Sequence, residues 1–295
     1  MNNIKKTIFV LLIGILLLGF KKANSYNEDS IKPSQLNITI LLDLSDRIDP
    51  SISKSVPSHY ERDISIVKYI TEIFKKNMES QGTFMAKGKL KVIFSPRAQD
   101  SNVNIFAEKL NVDLSNMDNK KKKEIYEKLT DSFSYNLSKI YEATIAEKKW
   151  LGSDIWRFFK NDVKDYTICS DPNYRNILVI LTDGYIYHAD SKDRYKNRFA
   201  YLLPSTIKEY KLRNNPNWDK QIDKLDFGLI SKRNDLENLE VLVLEINPAP
   251  QYQNDEDIIK KVLSKWFSEM GIKRYAIFNS DLPEYTKQRI DAFIK

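Results

Sequence analysis

Asn176 to Asp183 reads NILVILTD and is followed by Gly184. An unbroken apolar run from Ile177 to Leu181, closed by a hydroxyl, an acid and a glycine, predicts a strand buried on both faces. Strands of that kind belong to parallel sheets covered by helices on either side. Ile38 to Leu44 (ITILLDL) repeats the pattern and also ends in acid and turn residues. Leu90–Phe94, Glu240–Ile246 and Arg274–Phe278 supply further strands, and Val103–Val112 alternates well enough to predict one more, antiparallel to Leu90–Phe94. Between them, Asp63–Met78 places Ile64, Val67, Ile70, Ile73 and Phe74 at helical spacing. Lys120–Lys128, Tyr135–Trp150, Asp255–Met270 and Pro283–Ile294 also read as helices, the four-lysine run of the first as a solvated face. The expected fold class is α/β, a doubly wound, mostly parallel sheet of about six strands with one antiparallel edge strand.

Composition agrees with a packed core. The 295 residues are 42% hydrophobic and 29% charged, which excludes disorder as the main theme. One cysteine, Cys169, excludes a disulfide framework. The net charge of +7 invites an acidic partner until its source is located. Residues 1–25 join Lys5 and Lys6 to an apolar run, Thr7–Phe20, and end in Ala23-Asn24-Ser25. That is the pattern of a secretory signal peptide, or of an N-terminal anchor if it stays uncleaved. Its four lysines leave 43 basic against 40 acidic residues in the remainder, and the case for nucleic acid disappears. The expected location is outside the cytoplasm, in the periplasm or cell envelope or secreted. A membrane enters only through an uncleaved segment. Residues 26–295 read as one domain, with an insertion at about 185–239 leaving the end of the NILVILTD strand.

Parallel strands deliver their carboxyl ends to one rim, where α/β sheets bind ligands. Asp43, Ser45, Asp46 and Arg47 follow the first strand, Thr182 and Asp183 end the fourth, and Gly152-Ser153-Asp154 follows a helix between them. Oxygen donors of this kind suit Mg²⁺, Mn²⁺ or Ca²⁺. In these segments the chain resembles the von Willebrand factor type A family, whose metal-ion-dependent adhesion site uses Asp-x-Ser-x-Ser, a Thr or Ser in a Gly-containing loop, and Thr-Asp-Gly. The resemblance implies that Asp43, Ser45, Ser153 and Asp183 hold a divalent cation, completed by a carboxylate from a protein partner. Arg47 stands at the second serine position of the first loop, and a guanidinium cannot ligate a cation. Either Asp46 or water fills that position, or Arg47 replaces the ion and the chain is a metal-free scaffold. His59 and His188, both expected on this rim, keep a metal-dependent hydrolase as an alternative. The binding module is the leading expectation, not an enzyme. Trp156, Phe158 and Phe159 read as core. Tyr185, Tyr187, Tyr195, Phe199 and Tyr201 read as packing or as a binding surface.

Overall fold

A computed structural model describes residues 34–295 apart from Leu151, Pro250 and Gln253. The signal or anchor segment at 1–25 lies outside the described residues. Strands β1 (Gln35–Leu42), β2 (Lys89–Phe94), β3 (Asn111–Asp113), β5 (Tyr174–Leu181), β10 (Leu239–Ile246) and β11 (Arg274–Asn279) form one sheet in the order β11-β10-β5-β1-β2-β3. Every pairing is parallel except that of β3 with β2. This is the expected α/β class, a mixed six-stranded sheet flanked by helices and consistent with a doubly wound, Rossmann-like fold.

The strands alternate their side chains between two apolar layers. Ile38, Ile40, Leu42, Ile177, Val179 and Leu181 enter one, against α1 (His59–Gln81), α3 (Asn119–Glu147) and α9 (Pro283–Ile294). Leu41, Leu178 and Ile180 enter the other, against α8 (Asp255–Glu269) and a short helical stretch. That stretch runs from α4 (Ile155–Arg157) through a π-helical turn (Phe158–Asp162) into α5 (Val163–Thr167). Trp156, Phe158 and Phe159 are buried there, with Phe159 edge-on to Trp266 of α8 at 4.8 Å. Burying such rings contributes the largest apolar areas of the molecule.

One polar pair interrupts the two central strands. Asn37 of β1 sits opposite Asn176 of β5 and donates to its Oδ1 at 2.8 Å and to Thr167 O at 2.9 Å. Asn176 Oδ1 also accepts from Cys169 N–H at 2.8 Å. Both side chains are buried.

Three expectations need correction. Val103–Val112 is not one strand: Ser101–Glu108 is helix α2, and only Asn111–Asp113 is extended. Asp100 caps that helix by accepting from Asn102 N–H, and Val103, Phe106, Ala107 and Leu110 recur at helical rather than alternating spacing. The antiparallel pairing with β2 is present, at three residue pairs. The two helices expected at 120–128 and 135–150 are one, α3, capped by Asp118 and uninterrupted because no Gly or Pro lies between them. Its lysine run is not wholly a solvated face: Lys122 is buried, with Nζ donating to Phe84 O.

The stretch between β5 and β10 carries β6 (Tyr187–His188), β7 (Arg194–Tyr195), β8 (Arg198–Phe199), α6 (Pro204–Glu209), α7 (Trp218–Leu225) and β9 (Gly228–Leu229). Phe199, Ile207, Leu212, Ile222 and Phe227 from this stretch are buried in the second apolar layer. Phe199 packs against Tyr201, Tyr210 and Phe227, whereas Tyr195 is exposed, so the aromatic group divides between core and surface.

Candidate metal site at the sheet rim

The parallel pairing of β1 with β5 sets Leu42 opposite Leu181, so the next residues of both chains leave the rim side by side. Asp43 is fully buried. Its Oδ1 accepts from Ser45 N–H at 2.9 Å, a local turn that holds the loop. Its Oδ2 accepts from the Thr182 hydroxyl at 2.7 Å. Asp183 follows, half-buried. Its Oδ1 accepts from Tyr185 N–H at 3.0 Å, and no donor or cation bonds Oδ2 among the described residues. Burial, then the neighbouring charge of Asp43, pushes the Asp183 carboxyl well above the usual carboxylate range. Gly184 turns the chain at φ +98°, and a Cβ there would stand 2.7 Å from Ile259 and 2.8 Å from Ile246. Glycine is required there on both counts.

Arg47 does not point out of the rim. A 3-10 turn, Asp46–Ile48, carries it back under the strand ends and leaves it 3% exposed, while Asp46 is exposed. Its Nε donates to Asp43 O at 3.2 Å, and its Nη2 donates to Leu181 O at 3.0 Å and to Asp63 Oδ2 at 2.5 Å. Nε lies 3.8 Å from Asp43 Oδ2. Tyr141 of α3 donates to the same Asp63 oxygen at 2.7 Å. Burial pushes the Asp63 carboxyl up to about 6 against the opposing pull of Arg47. Burial also works against the Arg47 charge, yet Asp63 and then Asp43 hold its pKa above the ordinary value. The main partner of Arg47 is therefore Asp63, a residue the motif does not contain. Its signal in the sequence is an acid at the head of the apolar stripe Val67, Ile70, Phe74 of α1.

Ser153 reaches the rim on a separate two-stranded ribbon. β4 (Gly152–Ser153) pairs antiparallel with β6, with Ser153 opposite Tyr187. A Cβ on Gly152, at φ +89°, would meet Tyr187 O at 2.1 Å, so the ribbon closes only over glycine. Asp154 N–H donates to Ser95 O at 2.8 Å and ties the ribbon to the end of β2. Ser153 Oγ is buried without a hydrogen-bond partner. No hydrogen bond joins it to Asp43, Ser45 or Asp183 among the described residues. Hydrogen bonds thus join Asp43 to Ser45 and Thr182, and chain succession puts Asp183 beside Thr182 with no bond of its own to Asp43 or Ser45. Ser153 too is without a direct link.

The histidines have partners of their own. His59 Nε2 lies 3.2 Å from Asn247 Nδ2. Burial, then Arg47, pushes the His59 imidazole down to about 4, so it is neutral. His188 Nδ1 accepts from Asp190 N–H at 3.2 Å and lies 3.5 Å from Asp154 Oδ2. Alternation along the ribbon puts His188 and Asp154 on the face opposite Ser153 and Tyr187. No protein-family model, curated protein sequence or solved structure matches the chain.

Among the described residues no three His, Cys, Asp or Glu side chains gather as a ligand cluster. The rim offers instead two aspartates and two serine hydroxyls, one of them the unpartnered Ser153 Oγ. Arg47 is paired mainly with Asp63, so Asp183 has no cation of its own, and beside Asp43 its carboxyl is pushed towards the neutral form. Oxygen donors of this kind, with one carboxyl that a cation would hold ionised, fit Mg²⁺, Mn²⁺ or Ca²⁺.

Proposed function

We propose that this chain is an exported binding module, similar to von Willebrand factor type A domains, that recognises a protein partner through a divalent cation at the sheet rim. Asp43, Ser45, Ser153 and Asp183 would hold Mg²⁺, or Mn²⁺ or Ca²⁺, with Asp46 or water at the position that Arg47 vacates. The observation that carries this reading is the crowding of the Asp43 and Asp183 carboxyls, which the inward-turned Arg47 only partly offsets. Bound there, the ion would neutralise both aspartates and offer an open position to a carboxylate of the partner. Thr182 and Ser45 N–H orient Asp43, and Tyr185 N–H orients Asp183, so the chain presents these acids already positioned.

Calorimetric titration of the EDTA-stripped chain with Mg²⁺ and with Mn²⁺ tests the reading. One saturable site is expected in wild type, lost in Asp43→Ala and in Asp183→Ala. Absence of saturable binding in wild type, or binding retained in both variants, refutes it. The 3.8 Å approach of Arg47 Nε to Asp43 Oδ2 favours a second reading, a metal-free scaffold in which the guanidinium stands for the ion. Metal binding by Arg47→Ser/Asp63→Asn but not by wild type would select it. The hydrolase alternative gains nothing from His59 or His188, each engaged with a residue outside the aspartate pair.

A further inference from the structure

β3 accompanies β2 only along Lys89–Lys91, and Val92 N–H is taken by Leu110 O before the chain runs off into α2. The outer edge of β2 at Ile93 and Phe94 has no strand beside it among the described residues. A cleft of about 530 Å³ opens there, between α2 on one side and the α4–α5 stretch on the other. That volume lies within the range of small-molecule sites. None of Asp43, Ser45, Ser153 or Asp183 lines it.

Its walls combine flat apolar surface with unspent positive charge. Phe94 and Tyr166 line it with accessible rings, and the buried Phe158 backs Tyr166 with ring centroids 6.3 Å apart. Lys91 holds its Nζ 5.6 Å over the Tyr166 ring. Neither Lys91 nor Arg157 has a carboxylate within ion-pair distance among the described residues, although most other arginines of the fold do. Arg97 is neutralised by Glu108 at 3.6 Å. Asp162 is the one other acid on the lining, so Lys91 and Arg157 leave the cleft one charge positive. A ligand matching these walls carries one negative charge and a planar apolar body. The anionic head would meet Lys91 and Arg157, whose fork suits a carboxylate, and the body would lie against Phe94 and Tyr166.

We propose that this cleft is a binding site for a small aromatic carboxylate, separate from the rim. The probe is 2-naphthoate, followed by its fluorescence anisotropy on adding the full chain. Acetate, the head alone, and 2-naphthamide, the uncharged body, serve as competitors. Saturable binding of 2-naphthoate is expected, with 2-naphthamide weaker by about tenfold or more, as loss of a charge-assisted hydrogen bond implies, and acetate weaker by at least as much because it lacks the apolar body. Arg157→Gln and Lys91→Gln should each weaken 2-naphthoate about fivefold or more with circular dichroism unchanged. EDTA should leave the binding as it is. Failure to saturate overturns the proposal. So does equal affinity for the amide, unchanged affinity in both variants, or a requirement for divalent metal, which would place the ligand at the rim.

Discussion

Removing Arg47 gives the sharpest test of the buried charge network. Arg47→Met keeps the stem of the side chain and deletes the guanidinium. Asp63 is then left fully buried with only the Tyr141 hydroxyl. Breaking a buried ion pair from one side typically costs about 3–5 kcal/mol. The pH dependence identifies the cause. In wild type the Asp63 carboxyl already sits at about 6, raised by burial despite Arg47. A carboxyl raised on folding binds protons in the native state that the unfolded chain has released. Stability therefore falls as pH rises from the unfolded value to the folded one, then levels. Without Arg47 the folded value rises above 6 and the fall continues. The deficit of the variant relative to wild type should thus grow by about 1.4 kcal/mol per pH unit above pH 6, until the variant's own carboxyl titrates. Below pH 6, where Asp63 is protonated in both, the deficit should be smallest. Urea unfolding of EDTA-treated protein at pH 5.5 and 8 measures it. Adding Asp63→Asn to Arg47→Met should recover about 2 kcal/mol or more at pH 8 and remove the growth with pH. A deficit that is flat with pH, or a second substitution that deepens the loss, would refute the pairing of Arg47 with Asp63 as the main interaction.

Other expectations follow from single sites. His59 is buried and held neutral, its value lowered to about 4, so the unfolded chain takes up the proton first. Stability should drop as pH falls from 6.5 towards 4, by up to about 3 kcal/mol, and His59→Asn should flatten that limb of a urea-midpoint profile. Gly184→Ala combines a positive φ with contacts of 2.7 and 2.8 Å and should cost about 2 kcal/mol in thermal unfolding. Trp266→Ala removes a fully buried indole whose N–H donates to Ile230 O, and should cost about 3–5 kcal/mol by denaturant unfolding.

The parallel strands were legible because burial on both faces leaves continuous apolar runs such as Ile177–Leu181, and the long helix α1 because five apolar residues keep one face. Val103–Val112 misled because a short helix followed by a short strand mimics alternation, and the discriminating residue was the cap, Asp100. At the site, Asp43, Ser45 and Asp183 were readable from strand-end position. The destination of Arg47 was not. A loop sequence carries no record of which acid on a distant helix meets it, and Asp63 was visible only as an acid on an otherwise apolar stripe.

The Asn37–Asn176 pair has a consequence at the opposite end of the sheet. Sliding β1 by two residues would set Thr39 or Gln35 against Asn176 and carry Asn37 away from its two acceptors, Asn176 Oδ1 and Thr167 O. That strands one buried amide, while Asn176 keeps its bonds to Cys169 and Asn238. Such an orphan costs about 1–3 kcal/mol. Apolar strands such as Ile38–Leu42 and Ile177–Leu181 would tolerate the slip on packing grounds alone, since a shift of two returns each side chain to its own layer. The amides thus act as a vernier: they fix the alignment of Asp43 with Thr182 and Asp183 from about 20 Å away, six residues up an extended chain.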